Sequence, residues 1–363
     1  MARQERVISV DLLRGLTIAA MILVNNPGDW GNVYAPFLHA PWHGYTPTDL
    51  IFPFFLFLVG CSIAFAYRNR QPDWDTYRKI LVRSAKLIAL GLFLGAFLIY
   101  PPFVKAWSEI RFPGVLQRIG LVFLIAAPLA LHLRSAALIT LSVLLLLGYW
   151  VLMGFVPVEG VLPTYERDPY NWAMYVDKMV LGSHTYKEDY DPEGLLSTIP
   201  SVVTCLIGVV TGRLLIGPRV DKVKRMLLAG TVLLVLGHAW GYVFPINKAL
   251  WTSSFVLVTG GWALVLLAAI YYTTDVRHKV WGRVFIYAGA NALILYFFSS
   301  FFAKIFGSIA VGDTSLHGYL YQQVFVHDFL PAKLSSLLYA SVLVLFYLAV
   351  GVVLYRKKIF FRV

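Results

Sequence analysis

The sequence predicts an all-α polytopic membrane protein of about ten transmembrane helices with both termini in the cytoplasm. Hydrophobic residues make up 59% of the 363 and charged residues only 14%, and mean hydropathy is +0.70. That composition excludes an ordinary water-soluble domain. Apolar runs of roughly 20 residues, enough to cross a core of ~30 Å, recur near 8–26, 48–67, 81–100, 113–133, 136–155, 197–216, 226–245, 253–272, 284–306 and 332–355. The basic residues between these runs fall mainly on one side.

In chain order, the first run carries Asp11 and Arg14 in its opening turns and no small-residue cleavage site after it, so it is expected to stay as a span. Segments 1–14, 67–86, 134, 213–225, 273–283 and 356–363 hold more than two thirds of the 31 Lys and Arg but about a third of the 19 Asp and Glu. Arg3, Arg6 and Arg14 open the chain, and Arg356, Lys357, Lys358 and Arg362 close it. The positive-inside rule makes that side cytoplasmic. The net charge of +12 is thereby explained by topology; nucleic acid is not an expected partner, because no soluble module carries a basic face. Two long connections, 156–196 and 307–331, fall on the other side. No linker or repeat divides the chain, so 1–363 reads as a single transmembrane domain. Cys61 and Cys205 lie in apolar runs and offer no disulfide framework. His317, His327 and Asp328 lack metal-ligand spacing, and no metal is expected.

One stretch concentrates chemistry. Residues 25–60, NNPGDWGNVYAPFLHAPWHGYTPTDLIFPFFLFLVG, place Asn25, Asp29, His39, His43 and Asp49 among Trp30, Tyr34, Trp42 and Tyr45. Trp and Tyr are ordinary anchors at headgroup depth, but the titratable groups beside them need another reason. Charges inside spans point to function when a partner is found. Asp11 and Arg14, three residues apart, share a helix face and can neutralise each other. Gln117 and Arg118 lie about five residues into the fourth run, a depth of roughly 7–8 Å, so Arg118 must face the bundle. His238 and Asn291 are expected to be buried, as helix-packing groups in the first instance. In the first long connection Tyr165, Glu166, Asp168, Tyr170, Trp172 and Tyr175 precede the turn containing Asp191 and Glu193. Carboxylates among rings suit a polyhydroxylated or amine-bearing ligand, or equally a loop packed by its own aromatics.

The strings SVDLLRG (Ser9–Gly15), LVNN (Leu23–Asn26), HAPWHGYTPTDLIFPFFLFLVG (His39–Gly60), FPGVLQRIG (Phe112–Gly120), YDPEGLLSTI (Tyr190–Ile199), PINKALWTSSFV (Pro245–Val256) and LYRKKIF (Leu354–Phe360) resemble the heparan-alpha-glucosaminide N-acetyltransferase family and its bacterial relatives associated with N-acetylglucosamine use. The resemblance runs from Ser9 to the C-terminus; the lysosomal member carries a luminal domain and a further span ahead of this core. It implies acetyl transfer from cytoplasmic acetyl-CoA, as co-substrate, to the amine of glucosamine or a related amino sugar across the membrane. It also implies a multi-pass protein of a bacterial inner membrane, with a homodimer as a candidate assembly. The family's active-site histidine falls on His39, with the asparagine at Asn25 and the aspartate at Asp49. Acetyl-CoA is expected at Arg14, Asp11, Gln117, Arg118 and Asn291, and the amino sugar at Trp42, Asp191, Glu193 and Lys248.

An amine attacking a thioester needs a base to take its proton and a donor for the tetrahedral oxyanion. His39 suits the base, or a transient acetyl acceptor. Asp49 either orients the imidazole or binds the substrate ammonium, and Asn25 can donate to the oxyanion. A pantetheine arm reaches about 14 Å when extended, half of a ~30 Å core. Either the 27–47 loop dips inward or the CoA phosphates enter a cationic vestibule near Arg14 and the loops 67–86 and 213–225. The alternative is a secondary transporter of amino sugars. Against it stand the concentration of His, Asp and Asn in one loop and the lack of paired broken helices at matched positions.

Overall fold

The computed structural model describes residues 7–218 and 220–360; Arg3, Arg6, Arg219 and Arg362 of the charge argument lie outside them. The helices are α1 (Ile8–Asn25), α2 (Pro47–Tyr67), α3 (Trp74–Ala96), α4 (Val115–His132), α5 (Ser135–Phe155), α6 (Trp172–Leu181), α7 (Thr198–Ile216), α8 (Lys222–Trp240), α9 (Ser253–Tyr271), α10 (Arg283–Gly289), α11 (Ala292–Ser308), α12 (Leu316–Phe325) and α13 (Ala332–Arg356). The only sheet among the described residues is the two-residue pair β1 (Ala310–Val311) and β2 (Thr314–Ser315). Every expected run folds as helix, so the all-α polytopic class holds.

Eight helices are long and apolar enough to cross a membrane, or up to nine if the bent pair α10–α11 is one span. The first half of α3 carries Asp75, Arg78, Lys79, Arg83 and Lys86, and this helix is not among them. The ninth run, expected as one span over 284–306, is a correction: α10 and α11 meet at 83°. Sharp bends have local causes. Here α1 packs so closely that a Cβ on Gly289 would strike the Asp11 carbonyl, and Arg14 Nη1 reaches the Gly289 carbonyl at 3.4 Å. Asn291, buried as expected, donates from Nδ2 to the Ile359 carbonyl at 3.1 Å. The bend is thus held by α1 and by the segment after α13.

α1, α2, α7 and α9 are the most enclosed of the spanning helices, whereas α5, α8 and α13 are largely uncovered. The outer helices expose Leu144, Leu147, Val235, Leu236, Leu345 and Phe346, as membrane spans apolar all round do. α2 and α7 approach to backbone contact: a Cβ on Gly60 would overlap the Cys205 carbonyl, and one on Gly208 the Phe57 carbonyl. Small residues allow such approach in membrane bundles. His238, expected to be buried, is exposed. The buried stripe of α8 runs through Met226, Gly230 and Gly237, and His238 falls one residue beyond it, its Nδ1 2.8 Å from the Leu234 carbonyl.

The long connections are 26–46, 97–114, 156–197, 241–252 and 309–331. The long connections are joined to one another: Gly44 N donates to the Ile246 carbonyl at 2.7 Å, and Phe112 N to that of His184 at 3.0 Å. His317 Nε2 reaches the Gly28 carbonyl at 3.1 Å. This joined layer carries His39.

Candidate active site

The start of α2 fixes one carboxylate. Asp49 sits in the first turn, three residues after the N-cap Thr46, where a side-chain acceptor can satisfy free backbone donors. Thr46 N donates to Asp49 Oδ2 at 2.9 Å, and Ala40 N donates to the same oxygen at 3.0 Å. The loop therefore folds back onto the helix end, which delivers His39: its Nδ1 lies 2.7 Å from Asp49 Oδ1. The Asp49 side chain is 1% exposed, that of His39 54%. One partner is locked and the other faces the open side of the layer.

Lys248 completes the cluster from the connection before α9. Its Nζ is 3.0 Å from His39 Nδ1 and 3.2 Å from Nε2, and 3.5 Å from Asp49 Oδ1. That connection is rigid. Asn247 is fully buried, its Oδ1 accepts from Leu250 N at 2.9 Å and its N donates to Thr252 Oγ1 at 3.0 Å. Burial pulls the Lys248 ammonium below the usual lysine range, opposed by the charges of Asp49 and Glu193.

Every group around Asp49 is a donor, so the residue is a carboxylate that only accepts. The proton between it and His39 then belongs to Nδ1, and Nε2 carries the lone pair. Both Asp49 oxygens are occupied. Such a pair can take a proton at Nε2, with a cation beside it to oppose a developing negative charge.

Around this cluster the connection 156–197 supplies carboxylates held by arginines. Arg111 Nε and Nη2 pair with Asp191 at 2.7 and 2.5 Å, and Nη2 also meets Glu193. Asp191 further accepts from Tyr186 N and Glu193 N, each at 2.8 Å, which consumes its oxygens in shaping the turn. The carboxylates hold Arg111 well above the usual range. Arg118 donates from Nη2 to the Gly194 carbonyl at 2.8 Å and to Ser197 Oγ at 2.5 Å, over the Trp251 ring. Trp251, fully buried, adopts φ +49, an uncommon backbone region for a bulky residue. Asp177 of α6 accepts from Leu195 N at 2.8 Å, and burial pushes it up to about 6.

The remaining expected residues divide. Trp42 donates to the Tyr165 carbonyl at 3.0 Å and meets Tyr190 edge-on, beside the acidic turn. His43 is engaged elsewhere, 3.0 Å from Glu166 Oε1 and 3.3 Å from Asn247 Nδ2. Gln117 packs its amide against Gly91 and Gly114, one residue before Arg118. The five groups expected to hold acetyl-CoA therefore do not form one set. Asp11, Arg14 and Asn291 gather at the α10–α11 bend, where Arg14 pairs with Asp11 at 3.1 Å and donates to Ser62 Oγ at 2.8 Å. Asn25 ends α1 with an exposed side chain and makes no hydrogen bond to His39 or Asp49. Arg111, Asp177 and Trp251 were not singled out by the sequence reading. The sequence signal for Arg111 is its place directly ahead of the FPGVLQRIG string and that for Trp251 its place inside the PINKALWTSSFV string; Asp177 carries none.

A family model described as "Heparan-alpha-glucosaminide N-acetyltransferase, catalytic" matches residues 6–244. The chain is 28% identical to the heparan-alpha-glucosaminide N-acetyltransferases of Mus musculus and Homo sapiens, over 99% and 100% of its own length. It spans 61% and 60% of the length of those relatives. The catalytic family model covers more than half of the residues, and the chain belongs to the heparan-alpha-glucosaminide N-acetyltransferase family.

Proposed function

We propose that the protein is a transmembrane acetyltransferase that moves an acetyl group from acetyl-CoA, on the cytoplasmic side, to the amine of glucosamine or a related amino sugar on the opposite side. The observation that carries the reading is the His39–Asp49 pair at 2.7 Å, with Asp49 immobilised by two backbone donors and Lys248 against the same imidazole. Both termini are assigned to the cytoplasm and the protein to a bacterial inner membrane. Membership of the family supports acyl transfer over solute transport.

In this reading His39 Nε2 takes the proton from the amine as its nitrogen attacks the thioester carbonyl. The tetrahedral oxyanion is stabilised by Lys248, the cation nearest the imidazole, which favours it over the more remote Asn25 amide. Collapse of the intermediate forms the amide and releases the CoA thiolate, which receives the proton from His39. The occupied oxygens of Asp49 favour orientation of the imidazole over capture of the substrate ammonium. Glu193 and Trp42 are the candidate sugar contacts, with Asp191 as the residue that shapes their turn. Arg118 braces that turn through Gly194 and Ser197. The test is turnover: purified protein given radiolabelled acetyl-CoA and glucosamine is expected to yield N-acetylglucosamine, and a His39→Ala protein that binds acetyl-CoA yet acetylates normally would sink the mechanism.

A further inference from the structure

Tyr45, His238 and Trp262 spend their polar atoms on one another. Trp262 of α9 donates from Nε1 to the Tyr45 phenol oxygen at 3.3 Å, and that oxygen lies 3.2 Å from Nε2 of His238 on α8. Nδ1 of His238 faces the Leu234 carbonyl at 2.8 Å. A carbonyl only accepts, so Nδ1 carries the ring proton and Nε2 receives the Tyr45 hydroxyl. The three bonds run in one direction, from Trp262 through Tyr45 and His238 to Leu234. Rings at the edge of a membrane ordinarily turn their polar ends to water and headgroups; these are bonded to a residue of the loop that carries His39.

Tyr45 stands where that loop is tied down. On one side Gly44 N donates to the Ile246 carbonyl at 2.7 Å, two residues before Lys248. On the other, Thr46 donates from Oγ1 to the Leu38 carbonyl at 2.7 Å, next to His39, and from N to Asp49 Oδ2 at 2.9 Å. Gly44 adopts φ +89, with no atom within 4 Å of where a Cβ would stand, so the backbone there is free to turn. With the Gly44–Ile246 bond alone the loop pivots about a single point. A second attachment through His238, three residues ahead of the 241–252 connection, fixes the angle. We infer that Tyr45 and His238 are positioning residues, which hold the His39 imidazole against Lys248 by joining the His39 loop to the helix that leads into the Lys248 connection. The effect on turnover rests on the acetyltransferase reading above; the effect on the loop does not.

Turnover of the full-length protein with acetyl-CoA and glucosamine is measured beside hydrogen exchange of the Ala40, Gly44 and Thr46 amides, the backbone donors that tie this loop down. Tyr45→Phe and His238→Leu should each lower kcat by about 2- to 10-fold, the scale of one net hydrogen bond, with KM and melting temperature unchanged. The double variant should fall no further than the lower single, since either change breaks the same chain. His238→Gln, whose amide oxygen takes the place of Nε2 as acceptor, should recover most of the loss. The three amides should exchange faster in both single variants while those of α8 and α9 keep their rates. An active parent whose kcat is untouched by both variants overturns the inference, as do additive losses in the double variant or a loss that follows a general fall in melting temperature. If the parent is inactive with both substrates, faster exchange of the three amides in both variants leaves the attachment standing and the acetyltransferase reading failed, and unchanged exchange overturns the inference.

Discussion

Replacing Asp49 by asparagine tests the proton-handling geometry most directly. The asparagine must fill the same 1%-exposed space with one oxygen where there were two. Ala40 N and Thr46 N both donate to Oδ2, so the amide oxygen takes that position. The NH₂ then faces His39 Nδ1, formerly 2.7 Å from an acceptor. A donor there requires Nδ1 to accept, which moves the imidazole proton to Nε2 and removes the lone pair that takes the proton from the amine. Loss of the base alone is worth about 10²-fold, and a wrong tautomer in the comparable serine-protease triad costs about 10⁴-fold. Turnover of Asp49→Asn should therefore fall by about 10² to 10⁴, with KM for the amino sugar and affinity for acetyl-CoA little changed. Steady-state kinetics with both substrates, together with acetyl-CoA titration, provides the measurement. A variant with normal kcat and a raised KM would refute the argument and return Asp49 to the role of ammonium ligand.

The other predictions concern neighbouring groups. His39→Ala should lose about 10²-fold or more in turnover while keeping its fold and acetyl-CoA binding, whereas His43→Ala, which breaks an exposed pair with Glu166, should change turnover only modestly and stability by no more than about 1 kcal/mol. Lys248→Met should lower kcat but not melting temperature near neutral pH. The buried ammonium, held below 10.5, destabilises the fold at low pH and ceases to do so as pH rises through its folded value toward 10.5, so parent stability should gain on the variant over that window. Asp177 contributes stability below 3.8 that is lost as pH rises to about 6; Asp177→Asn should accordingly melt higher than the parent at pH 7, by up to about 3 kcal/mol, with the difference vanishing near pH 3.8. Reporter fusions at residue 363 should report a cytoplasmic C-terminus, and a signal from the opposite side would undo the placement of His39.

Much of this was legible in the sequence because its signals are local. Each apolar run is long enough to declare itself, and His39 and Asp49 are only ten residues apart, joined by a turn that a Thr-x-x-Asp cap closes. Contacts between distant segments were not legible. Lys248 meets His39 across 209 positions, and Arg14 meets the Gly289 carbonyl across 275. The bend at Asn291 was hidden because one amide in an apolar run looks like an ordinary packing group until α1 is seen pressing on Gly289. His238 erred for the complementary reason: hydropathy locates a helix in the membrane without saying which way it is rotated.

The glycine seam between α2 and α7 bears on what kind of machine this is. Alternating access requires one half of a bundle to rock against the other, and that motion needs a layer of side chains that can slide and re-pack. At Gly60 and Gly208 no such layer exists, since main chain rests on main chain. α2 carries Asp49 at one end and the Arg14 contact at Ser62 toward the other, and α7 begins at the turn braced by Arg118. Welding the two fixes the spacing of all three points as the pillars of a bridge fix its span. On the acetyltransferase reading proposed above, a frame of this kind would hold Asp49 and Ser62 at a fixed separation while both substrates come to it.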